Sequence, residues 1–501
     1  MNDLRVMLAD LASSADPGAV LAALDSVDLI IEAPAARCQS RTDQAGLFAM
    51  VNLVGRLHAH VRLALPAGMQ ADLGVFGAGD LADLLGELLA DIAPQPTSEP
   101  GEPFHLSWGG EPSGPGLAVW GGGWSYSIGP SLPFAGPDPG PGVGALAAAA
   151  YAASQVMGHQ LSHLGFPYLA TQGFVANLAD YSRLPAPPFA EVSVFSLPSS
   201  AIFGGGSVGS SGFYTAALLG LTGGPVDVVD DDHFSERNTL RYPILRRLEH
   251  GSKASWLEDM ARRSGLDVTG HTMDINDFID QFDEPPVIEL AVVSVDTVEG
   301  RRDATDVLAR TTLNVGVAAM QLHISTHGFD RDTGCAYCRY VDQGGALSDA
   351  GLLAGMLGLS QERLISAQLR GGRIDEQDAM EIAKNGRFGD AAPQAGDRIA
   401  DLRRRIYAQA AVPTPAGEVL VSAPAVSAFA GALIVAELVK HGTDGLEPYR
   451  LTGRCDFDLT GEPTGVVALR APDQSGNCLC HDPFRLRAYR ELHGLQARRA
   501  A

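Results

Sequence analysis

The sequence predicts an α/β protein whose C-terminal part is a Rossmann-like, largely parallel sheet covered by helices. Three observations carry that expectation. Strand-like and helix-like segments alternate after residue 200: Ala201-Ile202-Phe203, a helix from Val208 to Leu221, Pro225 to Val229, a helix from Lys253 to Ser264, and Val287 to Val295. A Gly-rich turn joins the first strand of that series to its first helix. Finally, 46% of the 501 residues are hydrophobic, enough for sizeable cores in about two to four domains of roughly 100–200 residues each.

Earlier in the chain, Thr42 to Leu57 follows a helical pattern and runs into the β-like Val61-Arg62-Leu63-Ala64-Leu65, which makes one α/β unit. Pro94 to Pro103 and the stretch from Gly121 to Gly142 are rich in turn formers and read as loops. Val143 to His163 is an Ala-rich helix. The prolines of Arg183-Leu184-Pro185-Ala186-Pro187-Pro188 suit neither helix nor central strand, so the main domain boundary is expected there, dividing 1–188 from 189–501. Residues 348–411 read as short helices broken by Gly and Pro, a helical insertion over about 340–411. A long apolar helix follows from Ser422 to Lys440, with Pro424 tolerated in its first turn.

A formal charge of −23 disfavours nucleic acid or an anionic membrane as the main partner and favours a basic protein. No run reaches about 18 uncharged apolar residues, and Met1-Asn2-Asp3-Leu4-Arg5 lacks a basic n-region, so a cytoplasmic chain is expected. Six cysteines are too few for a disulfide scaffold in so long a chain.

The residues after the first strand carry the chemistry. Phe203-Gly204-Gly205-Gly206-Ser207-Val208-Gly209 contains G-x-G-x-x-G, in which Gly204, Gly206 and Gly209 let backbone approach phosphates at a helix N-terminus. That motif alone is common. The next strand ends in Val229-Asp230-Asp231-Asp232, and Asn238, Arg241 and Lys253 follow. A nicotinamide enzyme needs one acid at this strand end, for the ribose, and would leave the later residues idle. Two acids with Asn, Arg and Lys suit a nucleoside triphosphate with Mg²⁺, which demands hard oxygen ligands and positive groups on the phosphates.

This order, a Gly-rich loop, strand-D-x-D, N-x-x-R, a Lys and then Asp296 at the end of Val292-Val293-Ser294-Val295, resembles the E1-like adenylating family of ubiquitin-activating, ThiF and MoeB type. The resemblance implies that Asp230 holds the ribose, that Asn238, Arg241 and Lys253 position the phosphates, and that Asp296 binds Mg²⁺ near the α-phosphate of ATP. Tyr242 stands where the family often has Gln. Gly122-Gly123-Trp124-Ser125 and the Ala-rich helix resemble the inactive half of bacterial E1-like proteins, which implies a single-chain pseudo-dimer with an active second half. An arginine lent across the halves would then come from Arg37 or Arg41. The small residues of the Ser422–Lys440 helix would border a channel for the modifier's tail, or serve ordinary helix packing.

Cys335-x-x-Cys338 and Cys478-x-Cys480 each offer two thiols to one ion, which points to structural Zn²⁺ with bonds of about 2.3 Å, or else to unliganded buried thiols. His481 is a possible substitute ligand. True E1 enzymes also need a nucleophilic cysteine. Where relatives tend to carry Tyr-Ala-x-x-Cys, this chain reads Tyr407-Ala408-Gln409-Ala410-Ala411, so Ala411, or less readily Ala410, occupies the nucleophile position; Cys455 is the alternative. Cys38 is expected to pack.

The resemblance thus implies ATP-dependent adenylation of a ubiquitin-like modifier's C-terminus and transfer to an E2-like protein, as in bacterial Bil-type antiphage conjugation systems, with a homodimer possible. Sulfur-carrier activation without a thioester step and a non-catalytic scaffold of the same fold are the rivals. Intact Asp230, Arg241, Lys253 and Asp296 weigh against the scaffold.

Overall fold

The structure, a computed structural model, describes residues 17–96, 98–164, 173–187, 192, 194–318, 320–329, 334–341, 354, 357–369, 372–384, 393–399, 402, 413–414, 417–418, 423–463, 467–468, 472–473 and 478–495. Ala410 and Ala411 lie outside these residues. Two compact units divide the chain: Met1–Asp296, Gly300–Arg339 and Ser422–Ala501 make one, Thr297–Glu299 and Tyr340–Val421 the other.

The first unit contains two mixed α/β sheets. In chain order the N-terminal one is built from α1 (Pro17–Asp25), β1 (Asp28–Glu32), α2 (Arg41–Gly55), β2 (Val61–Ala64), α3 (Leu81–Ile92), β3 (Pro103–Trp108), β4 (Gly116–Gly121), β5 (Ser125–Gly129), α4 (Val143–Leu161) and β6 (Phe174–Asn177). Its strand order is β2-β1-β3-β4-β5-β6, parallel through β4 and antiparallel beyond.

The C-terminal sheet uses β7 (Ser200–Phe203), α5 (Ser207–Leu219), β8 (Val226–Val229), α6 (Glu236–Arg241), α7 (Lys253–Arg263), β9 (Val268–His271), α8 (Ile275–Asp280), β10 (Leu290–Val293), α9 (Val298–Asp306), β11 (Thr311–Ala318) and β12 (Gln321–His327). In the second unit α10 (Gln361–Leu369) and α11 (Glu376–Lys384) follow; α12 (Pro424–Gly442), β13 (Arg454–Asp458), β14 (Val467–Ala468) and α13 (Pro483–Leu492) then return to the first. The order β9-β8-β7-β10-β11-β12-β13-β14 is parallel through β11 and antiparallel after it. Apart from one outer strand and the extra antiparallel edge, this is the order of the first sheet.

Helices α2, α4, α5 and α12 pack together between the sheets. Their sequences make this possible. Ala145 and Ala147 to Ala150 are fully buried, and a side chain at Gly431 would meet the Ser211 carbonyl at 2.3 Å, so small residues let the backbones approach. Glu437 and Lys440, both 0% exposed, enter this core as a set: they pair with each other, while the Lys440 ammonium donates to Ala179 O at 2.9 Å and Tyr181 donates to Glu437.

One sequence expectation is corrected. The Gly/Pro-rich stretch from Gly121 to Gly142 is not wholly loop, because Ser125–Gly129 is a central strand; its glycines serve close approach, a Cβ at Gly121 falling 2.3 Å from Gly144 O. Helix α12, which carries Glu437 and Lys440, is long and apolar enough to cross a membrane by length and composition, but the apolar stretch is 89% buried within the fold.

The second unit has its own apolar cluster, including Leu357, Leu364, Ile374, Ile382 and Leu402. Arg363 ties α10 to α11 through Asp378 at 2.8 Å.

Candidate nucleotide site and thiol cluster

β7 lies between β8 and β10, and the chain leaves it in opposite directions along the sheet, which opens a crevice beyond the strand ends. Gly204 continues from β7 with φ of +100°, a conformation that L side chains resist. A Cβ at Gly209 would lie 2.0 Å from the Gly204 carbonyl, so only glycine lets α5 close on the loop. At Gly206 a Cβ would meet only the Tyr242 hydroxyl, at 3.8 Å. The α5 N-terminus therefore faces open space, an arrangement suited to an anion.

Asp230, immediately after β8, braces this loop: its carboxylate accepts from Gly205 N at 2.6 Å and Asp232 N at 2.8 Å. Burial pushes its pKa up to about 6, against the pull of Lys253 and with a further push from Asp232. Lys253 begins α7 and donates to Asp232 Oδ2 at 2.8 Å. Burial works against its ammonium, but Tyr242, Asp230 and Asp232 around it hold its pKa above the usual lysine range.

Asn238 has a local duty, since its Oδ1 accepts from Ser235 N at 2.6 Å and so caps α6. Arg241 ends α6, and among the described residues its buried Nε has no hydrogen-bond partner. Asp296 is exposed just beyond β10, where Ser294 Oγ donates to Gly204 O at 2.8 Å and pins the loop from the other side.

Of the two arginines expected to cross the halves, Arg37 stays in its own, donating to Ala135 O at 3.0 Å, and Arg41 caps the far end of α5 through Leu218 O at 3.3 Å and Ala217 O at 3.4 Å. Arg56 does reach the α6 segment, donating to the carbonyls of Thr239, Pro243 and Leu245. Nothing in the sequence around Arg56 marks it.

Cys335, Cys338, Cys478 and Cys480 converge: their sulfurs all lie within 4.8 Å of one another, three of the separations being 3.7, 3.4 and 3.4 Å. A tetrahedral site with metal–sulfur bonds of about 2.3 Å needs separations near 3.8 Å, so the four thiols fit a closed tetrahedral ion such as Zn²⁺. Gly334, at φ of +70°, makes the tight turn before the first pair. The four thiols form the group without His481, whose Nε2 meets Asp473 O at 2.8 Å. Cys455 is buried in β13, where burial pushes its thiol up to about 12. A nucleophilic thiol is favoured by a lowered pKa, the opposite of this direction.

Residues 28–164 match the family model of the BilD N-terminal domain. The uncharacterized protein y4jF of Sinorhizobium fredii is 26% identical over 305 residues, 58% of this chain and 58% of that protein, so the chain matches little more than half the length of this relative. Crystal structures of E. coli MccB, with succinimide and with ATP, align over 57% and 56% of this chain and 66% of theirs, at 16% identity and TM-scores of 0.32.

Proposed function

We propose that the chain is an E1-like adenylating enzyme: it uses Mg²⁺ and ATP to convert the C-terminal carboxylate of a ubiquitin-like protein into an acyl adenylate, releasing pyrophosphate. The observation that carries this reading is the gathering of the Gly204–Gly209 loop, Asp230, the Lys253–Asp232 pair and Asp296 around the ends of β7, β8 and β10.

In this reading Asp230 takes the ribose; Asn238 through its NH₂, Arg241 and Lys253 take the phosphates; and Asp296 holds Mg²⁺. The carboxylate attacks the α-phosphate, so the work is positioning and charge neutralisation rather than base catalysis. The similar strand orders support a pseudo-dimer of an inactive half, 1–188, and an active half, 189–501, with an insertion at about 340–411. The match of the N-terminal half to a BilD domain supports a Bil-type bacterial conjugation setting. The four thiols would hold a structural Zn²⁺. The net charge of −23 favours a modifier or E2 with a basic face.

A second reading, activation without a thioester on this chain, is favoured by the state of the thiols: all six cysteines are buried. The adenylate would then pass directly to a partner's nucleophile.

The test is ATP–pyrophosphate exchange with any small β-grasp protein encoded beside this one, intact and with its last residues removed. Exchange that requires the intact tail supports adenylation; exchange absent with every such protein, the fold being intact, moves the reading to a scaffold.

A further inference from the structure

The geometry points to Arg56, a residue of the N-terminal half, as the positioning residue for the α6 segment of the C-terminal half, a role that rests on the adenylation reading above. Asn52 and Arg56 stand one helical turn apart at the end of α2 and share one face. The Asn52 amide donates to Tyr214 Oη at 3.0 Å and to Pro243 O at 2.7 Å. The Arg56 Nε donates back to Asn52 Oδ1 at 3.0 Å, and its two terminal nitrogens take the carbonyls of Thr239, Pro243 and Leu245.

These three carbonyls bracket Arg241. One precedes it by two residues, and the others follow it by two and four, so the fork fixes the backbone on both sides of the side chain meant for phosphate. Arg56 is 4% exposed, and its hydrogen-bond partners are neutral oxygens, a costly setting for a cation. A lysine cannot reproduce it, because a point charge on a flexible stem cannot span three acceptors in fixed directions. Arg41 crosses the same interface but ends on the carbonyls of Ala217 and Leu218, at the opposite end of α5 from the Gly-rich loop. The pair therefore separates positioning of the site from mere docking of the halves.

The experiment is calorimetric binding of ATP and of adenosine to the full chain, wild type, Arg56→Lys, Asn52→Ala and Arg41→Ala, with hydrogen exchange followed across residues 236–245. Arg56→Lys is expected to weaken ATP at least tenfold, leave adenosine within twofold and speed exchange in 236–245; Asn52→Ala does the same to a smaller extent, and Arg41→Ala leaves both ligands within twofold. Unchanged ATP affinity in Arg56→Lys, or ATP and adenosine weakening in step, overturns the positioning role. If Arg56→Lys does not fold, the same split in Asn52→Ala decides. Wild-type protein that binds no ATP overturns the adenylation reading itself, and this inference with it.

Discussion

The Lys253 ammonium sits 2.8 Å from Asp232 Oδ2, the lysine side chain 7% exposed and the aspartate 50%. The pair is thus wet on the aspartate side and dry on the lysine side, with Lys253 oriented by Asp232. Lys253→Met is expected to lower ATP affinity at least tenfold by calorimetry. Asp232→Asn strands a buried ammonium and should cost about 1–2 kcal/mol in denaturant unfolding, less than for an enclosed pair because water reaches the aspartate.

Asp230 gives a pH signature. Its folded pKa of about 6 lies above the ordinary 3.8, so the fold favours its protonated form, and stability falls as pH rises from about 4 through 6. Asp230→Asn removes that dependence. Melting of the two proteins across pH 4–8 should show the wild type losing about 1–3 kcal/mol relative to the variant over that window, while the variant binds nucleotide worse. Parallel pH profiles would contradict the assignment.

Glu437 and Lys440 are expected to behave as one unit. Removing either by Glu437→Gln or Lys440→Met leaves an enclosed charge unpaired and should cost about 3–5 kcal/mol, whereas the double variant recovers part of the loss in a denaturant double-mutant cycle.

The cysteines should sort by chemistry. Cys455, held up to about 12, should resist iodoacetamide at pH 8 in the folded protein and react once it is unfolded. Metal analysis should find one zinc per chain, and Cys335→Ser or Cys480→Ser should lose it and lower the melting temperature. Rapid alkylation of Cys455 would reopen its candidacy as nucleophile.

How much of this was legible in the sequence follows from how local each feature is. The loop of Gly204, Gly206 and Gly209 and the D-x-D after β8 could be read because strand, turn and helix are contiguous, and each glycine answers a backbone demand. The thiol cluster could be read from the spacing within each pair, though not that Asp473 would claim His481. The strand Ser125–Gly129 was hidden because its flanking glycines, which serve backbone approach, resemble turn signals. Arg56 was illegible: its bond to Thr239 O spans 183 positions, and an arginine at the end of an apolar helix ordinarily faces water. The cap that Asn238 makes on its own helix was not legible, because an amide at that spacing serves a cap as readily as a ligand.

The most direct test of adenylation is to incubate the protein with Mg²⁺, ATP and any small β-grasp protein encoded beside it and to follow that partner by intact mass spectrometry, with Asp296→Ala in parallel. If the chain adenylates its partner, that partner gains the mass of one AMP at its C-terminus with the wild type and gains none with Asp296→Ala. An adduct that forms equally with both proteins, or no adduct while ATP is bound, would contradict the adenylation reading.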